Sequence, residues 1–566
     1  MKVFVKSKGE VNLTKRDFVA SGGEGEIFRK ARTAYKIYTG QTPCIPFAKM
    51  QELSEITAPN VIYPKELILN TRSKPIGYTM KHISNTYALC QIFTKAFKTR
   101  NNVTPEIILE LVKKMQNTIN HIHSKNILIV DLNEMNFLVD KKLKDIFFID
   151  VDSYQTKSFP ATAIMPSIRD RHSSSFNKMT DWFSFGIVSF QMFIGIHPFK
   201  GKHPKLKTMD ERMMANVPVF HKDVKFPRVC MPFDYIPEAY RDWYKAIFHK
   251  GDRVAPPSIA QAVIVIPVIT TLIKSNSNFD IQQLNSYDGN IINFLSVNGS
   301  RVVMTDVGSI YVNGNLESNT KDAHIAITPK QNKIISCNII YAEDGESGKL
   351  NLVDVNGNKD IACDINADDI MSYEGRVYIK QDDKLSEIEF IELNNKILVA
   401  SRVVTNVQEN ASKMFGGVVI QNILGSCVAS VMPQSRTCYQ ILIPEMKGYQ
   451  VIDAKYEKNI LVVIGNKKGK YDKFIFKLSE DFKKYELRKV DDISYSGINF
   501  TVLDNGVVIY VNEDEDIEIF VNKMGKNNVK VIDSKSISGD MRLYSDGVKV
   551  IFAEKEKMYR IQMKSV

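Results

Sequence analysis

The rhythm of apolar and polar positions changes once along this chain, near residue 260. Before that point, runs alternating at a period of two are interleaved with segments at helical spacing. The strongest helical signal is PEIILELVKKMQNTINHIHSK, where Ile107, Leu111, Met115 and Ile119 recur at near-helical intervals. A mixed α and β half is predicted. After Lys274 the texture becomes short β-rich runs separated by turns such as VNGS, VNGN, EDGESG, VNGNKD, YEG, LDNG and YSDG, with scarcely one amphipathic helix. About 290 residues at roughly 40 per sheet make six or seven units, as in a β-propeller with four-stranded blades. A double β-sandwich is the competing arrangement.

At 566 residues the chain exceeds what one core supports, so two large domains are expected. The most apolar run, IAQAVIVIPVITTLI at residues 259–273, falls short of the ~18 residues that cross a bilayer and reads as buried strand. The start, MKVFVKSKGEV, alternates like a strand and has no signal-peptide core. Seven scattered cysteines, none in C-x-x-C spacing, suggest neither a zinc site nor a disulfide framework, so a cytoplasmic setting without membrane attachment is expected. The net charge of +11 is uneven: residues 1–265 hold 39 Lys and Arg against 24 Asp and Glu, or +15, and the remainder carries −4. Such a field attracts phosphates and acidic substrates, but no compact basic block marks a nucleic-acid groove, and nucleic acid is not an expected partner.

Candidate chemistry lies in the first half. FVASGGEGEIF followed by TAYKIY reads as a glycine-turn hairpin leading into a strand that carries Lys36, and glycine there lets backbone amides approach phosphate. Downstream, ILIVDLNEMNFLVD and DIFFIDVDSYQ place Asp131, Asn136 and Asp150 at spacings of five and fourteen residues, each at the polar end of an apolar run. Phosphoryl transfer needs a carboxylate to orient the nucleophile, together with an amide and a second carboxylate to hold magnesium against the phosphates. These three residues supply those groups.

The first ~260 residues resemble a bacterial branch of the protein-kinase-like superfamily, which carries a G-D-x-N-x-x-N-x-L-V catalytic loop and an I-D-x-D-S-F-Q metal motif. Here these read VDLNEMNFLV and IDVDSYQ, and further matches are PIGYTMKHI, DWFSFG, GIHPFKG and GDRVAPPS. The resemblance implies an α+β bilobal kinase-like fold over residues 1–262, with lobes at about 1–83 and 84–262; the propeller-like residues 263–566 lie outside it, so a multidomain chain is expected. It implies ATP and Mg²⁺ as cofactors. Gly22, Gly23 and Gly25 would cover the phosphates, Ile27 and Ala34 would pack on adenine, and Lys36 would hold the α/β-phosphates. Asp131 would be the catalytic carboxylate, Asn136 and Asp150 the magnesium ligands, Asp181 a brace for the catalytic loop, Met80 the gatekeeper and Lys81 to Ile83 the hinge. The partner of Lys36 would be Glu52 or Glu55.

Departures from the wider kinase pattern are Ile129 and Val130 ahead of Asp131, Asn133 in place of a lysine, Asp152 in place of the metal-motif glycine, and Ser167 in place of the A-P-E glutamate. The last suggests Asp170 as partner for Arg253. The implied function is a Ser/Thr protein kinase whose propeller recruits a substrate or partner complex. A nucleotide-binding pseudokinase scaffold is the alternative, and a kinase for a non-protein acceptor a more distant one. A phosphatase or a von Willebrand-type protein is a partner implied by the resemblance.

His121 and His123 read as helix-end residues that complement the dipole, and the acidic run near Asp514 as a solvated turn. The polar stretch at residues 275–278 suggests a linker between independently folding halves. Closure of the propeller is expected from part of residues 263–271 pairing beside residues 559–563, with Pro267 at an edge or bulge.

Overall fold

A computed structural model describes residues 1–564 apart from 41, 162, 260–277, 342–347, 395, 495–496, 527, 533–538 and 540. Strands dominate it. The chain opens with a seven-stranded antiparallel sheet in the order Gly9–Asn12, Lys2–Val5, Glu66–Leu69, Pro75–Lys81, Thr33–Tyr38, Gly25–Lys30, Phe18–Ser21. One short helix, Phe47–Leu53, buries Lys49, Met50 and Leu53.

A helical layer follows. Helix Pro105–Ser124 starts at Thr104, whose hydroxyl accepts the Ile107 N–H, and proline occupies its first turn, where no amide donor is missed. Helix Lys178–Ile194 is buried along almost its whole length; Asn177 caps its start and Gly195, at φ 88°, ends it in the left-handed region. A three-stranded sheet is made of Thr86–Ala88, Phe137–Asp140 and Ile146–Phe148, and its last two strands carry the connection between the two chemical motifs.

Beyond residue 277 the chain builds antiparallel sheets in succession, most of four strands. They begin at Ile291–Val297, His324–Ile327, Asp369–Tyr373, Ser412–Met414, Gln450–Glu457 and Phe500–Val502. A seventh is assembled from distant parts of the chain: Phe279–Ser286, Lys557–Met563, Lys549–Glu554, Arg542–Asp546. An early strand therefore completes the last sheet, as the edge argument requires, but it is Phe279–Ser286. Lys557–Met563 has a neighbour on each side and no edge left for residues 263–271, which together with Pro267 lie outside the described residues, as do 275–277 of the expected linker.

The halves share a core. Ile452, Ile464, Tyr471 and Ile493 from the second half belong to the same buried cluster as Phe93, Leu132 and Phe199 from the first. The halves are therefore in buried contact, where the sequence pointed to an exposed linker between independent units. Among the described residues no helix is long and apolar enough to cross a membrane.

Candidate functional site

Three adjacent strands present the first group of residues. Pairing sets Ile27 opposite Lys36, Lys36 opposite Tyr78 and Ala34 opposite Met80. Glycine is needed at two crossings of these strands. A Cβ on Gly25 would lie 2.5 Å from the Ile37 carbonyl oxygen, and one on Gly77 would collide with the Lys36 carbonyl. Around Gly22 and Gly23 the space is open. Gly77 was not singled out from sequence, since its need arises across strands that are far apart in the chain.

Lys36 is buried, and its ammonium lies 2.7 Å from Asp150 Oδ1, 2.8 Å from Asp152 Oδ2 and 3.0 Å from Asp152 Oδ1. Burial pulls its pKa down, yet the two carboxylates outweigh that and raise it. Asp152 also accepts the hydroxyls of Tyr38 at 2.6 Å and Tyr78 at 2.7 Å. Burial would raise this carboxyl, but Lys36 and the two phenols hold it below the usual range. Asp150 moves the other way, to about 6, through burial first and the neighbouring Asp152 charge second. Its backbone sits at φ 61°, ψ 35°, a left-handed conformation unusual for a residue with a side chain.

Helix Phe47–Leu53 does not supply the expected partner of Lys36. Glu52 accepts the Ser158 N–H at 3.2 Å, and Glu55 is exposed. The helix turns Lys49 inward instead, and its ammonium donates to the Asp152 carbonyl at 2.6 Å.

The second motif is tied to the first through backbone. Asn136 Nδ2 donates to the Asp131 carbonyl at 2.9 Å, and the Ile149 N–H donates to the Asn136 carbonyl at 3.0 Å. Asp131 Oδ1 accepts the Met165 N–H at 2.8 Å, and burial raises its pKa. Asp181, wholly buried on helix Lys178–Ile194, accepts the amides of Ile129 at 2.8 Å and Val130 at 2.9 Å. Val130 is held at φ 63°, a strained position for a β-branched residue. His123 Nε2 bonds the same Asp181 carboxylate at 2.9 Å, so this histidine belongs to the brace and is more than a helix-end residue. Arg253 forks onto Asp170 at 2.5 and 2.6 Å, the pairing suggested by the loss of glutamate at Ser167.

One buried acid in the catalytic-loop motif escaped sequence reasoning. Glu134 is only 2% exposed and accepts the Tyr471 hydroxyl at 2.8 Å. Nothing in the local pattern separates it from a solvated loop glutamate.

Whether these residues suit a nucleotide and magnesium can be judged from the donor set. One carboxylate oxygen each from Glu24, Asp150 and Asp152 lie within 4.8 Å of one another, next to the Lys36 ammonium and the open glycine turn. Asp150, which meets Lys36 through one oxygen only, is a hard oxygen donor beside a buried cation and an open glycine turn, and these fit both groups.

No protein-family profile matches the chain. Over 114 residues it is 31% identical to cAMP-dependent protein kinase type 3 of Saccharomyces cerevisiae; that stretch is 19% of this chain and 28% of the yeast protein. The similarity thus spans under a third of that relative.

Proposed function

We propose that residues 1–262 form a bilobal kinase-like domain that binds ATP with Mg²⁺ and transfers phosphate to a Ser or Thr hydroxyl, and that the second half is a seven-bladed propeller presenting the protein substrate. The observation that carries this reading is the convergence of Lys36, Asp150 and Asp152 beside a loop in which Asn136 holds the Asp131 backbone. The short stretch of similarity to a protein kinase supports it.

In this reading Gly22, Gly23 and Gly25 cover the phosphates, Ile27, Ala34 and Met80 line the adenine site, and Lys36 meets the α/β-phosphates. Asp150 and Asn136 would hold Mg²⁺, which supplies charge neutralisation along the phosphates when bound. Asp131 orients the acceptor hydroxyl and takes its proton. The acceptor oxygen forms a bond to the γ-phosphorus as the bond from that phosphorus to the bridging oxygen breaks, and ADP leaves. Asp181 fixes the loop from beneath through the amides of Ile129 and Val130.

The scaffold alternative draws on one contact: Met165 N–H occupies Asp131 Oδ1, an oxygen that an acceptor would otherwise engage. Incubating the full chain with labelled ATP and Mg²⁺, alone and with a host lysate, separates the two. Transfer is expected, and Asp131→Ala or Asp150→Ala should abolish it with little change in thermal unfolding. ATP binding without transfer to any acceptor would favour the scaffold; transfer surviving in Asp150→Ala would remove the metal assignment.

A further inference from the structure

In the kinase reading, the lysine that meets the phosphates needs an anion to aim it, and Glu52 or Glu55 was expected to serve. Neither does. The strand Thr33–Tyr38 and its neighbour Pro75–Lys81 form a socket of another kind. Tyr38 lies two residues after Lys36, and Tyr78 is the direct cross-strand partner of Lys36, so alternation puts all three side chains on one face of the sheet.

Asp152 enters that socket and is saturated by it. Its Oδ1 receives Tyr78 at 2.7 Å and Lys36 at 3.0 Å, and its Oδ2 receives Tyr38 at 2.6 Å and Lys36 at 2.8 Å. By contrast, Lys36 reaches Asp150 through Oδ1 alone. The two acids therefore divide the work: one is committed to protein donors, the other keeps an oxygen for a cation.

Lys49 completes the arrangement by clamping the Asp152 carbonyl, so the helix that carries it contributes a cation to the metal-motif backbone where an anion for Lys36 was expected. Glu24 lies 3.8 Å from Lys36, but its side chain is 55% exposed, and an exposed carboxylate fixes a buried ammonium poorly.

We propose that Asp152, seated between Tyr38 and Tyr78, is the positioning residue for Lys36, and that the nucleotide site is assembled from its own metal motif independently of Glu52 and Glu55. This inference rests on the kinase reading for its functional meaning. Its consequence is regulatory: displacing Glu52 and Glu55 leaves the lysine aimed, so the site has no switch at that pair.

The test uses the full chain and two readouts. The first is acylation of Lys36 in the nucleotide-free protein by an amine-reactive ester, followed by peptide mass spectrometry. The second is ATP affinity, with kcat and KM measured where transfer occurs. Asp152→Asn should speed Lys36 labelling and weaken ATP binding roughly 10- to 100-fold, the scale set by losing a charge-assisted hydrogen bond. Asp152→Glu should restore part of the loss. Glu52→Gln with Glu55→Gln should leave labelling and affinity within twofold.

Combining Lys36→Ala with Asp152→Asn should cost no more affinity than Lys36→Ala alone, because the two act as one unit. Should Asp152→Asn fail to fold, Tyr38→Phe, which removes one tooth of the socket, is expected to speed labelling in the same direction by a smaller factor. Unchanged labelling in Asp152→Asn or Tyr38→Phe, or faster labelling in the Glu52/Glu55 variant, overturns the proposal. A wild-type chain that transfers no phosphate but shows the expected labelling pattern would refute the kinase reading and leave the Lys36–Asp152 arrangement standing.

Discussion

Glu134 and Tyr471 lie 337 residues apart in the chain, yet the tyrosine hydroxyl donates to the glutamate carboxylate at 2.8 Å inside a shared core. Glu134 is three residues from Asp131 and two from Asn136, so the second half of the protein holds the loop on which the proposed chemistry depends. Tyr471→Phe removes the donor and leaves the buried carboxylate with the Asn466 amide at 3.5 Å as its side-chain hydrogen-bond donor. A loss of about 1–3 kcal/mol in unfolding free energy is expected. Denaturation of the full chain measures it, and an unchanged midpoint would show that the contact is not formed in solution.

Asp181 accepts two backbone amides and His123, with no exposure to water. Asp181→Asn replaces one acceptor oxygen by a donor that faces an N–H, so about 2–4 kcal/mol of stability and most of the proposed transfer should be lost. His123→Ala should lose less, since the two amides keep their partner. Equal losses in the two variants would count against the amides as the main contacts.

These cases show what the sequence made legible and what it did not. Asn136 and Asp150 stand out in the sequence because their spacing is local and each lies beside an apolar run that forms a strand, whereas Lys36 lies within strand Thr33–Tyr38 and the apolar run before Asp131 forms none. Glu134 does not stand out, because its partner is set by packing between halves. The anion for Lys36 was missed because the choice depends on which face of helix Phe47–Leu53 turns inward, and there Lys49 is buried while Glu52 stays at the flank. The closing strand was misplaced for a related reason. The apolar run at 263–271 looks like the better strand, whereas the strand used, FDIQQLNS, is a largely exposed edge whose polarity hides it from a search for buried runs.

Arg253 and Asp170 offer a test with a pH signature. The guanidinium and the His172 N–H hold the Asp170 carboxyl below its ordinary value despite burial. A depressed folded-state pKa means that the carboxylate's contribution is present above the unfolded value near 3.8 and is lost as pH falls through the lower folded value. At neutral pH, Asp170→Asn should therefore cost about 3 kcal/mol, because it leaves Arg253 without its anion. The gap between wild type and variant should narrow only on acidification below about pH 4. A gap that stays constant down to pH 2 would mean that charge contributes nothing to the pair.

The shared core leads to a prediction about truncation that reverses the linker argument. A fragment of residues 1–274 keeps every proposed nucleotide-site residue but loses Ile452, Ile464, Tyr471 and Ile493, four side chains that the first half packs against. Burial of each is worth about 1.5–3 kcal/mol, so their removal takes away an amount comparable to the whole stability of an ordinary domain. It also uncovers the apolar surface around Phe93 and strands the Glu134 carboxylate without Tyr471. The fragment should aggregate or unfold, and nucleotide binding should be lost with it. Deleting residues 557–566 makes the complementary case. That cut removes the strand between Phe279–Ser286 and Lys549–Glu554, exposing Phe279 and Phe552, but leaves the sheet that carries Tyr471 intact. Proteolysis should then begin in the last sheet while ATP binding persists, even if weakened. A soluble, nucleotide-binding 1–274 fragment would show that the contact between halves is dispensable, and the Tyr471→Phe result would have to agree with it.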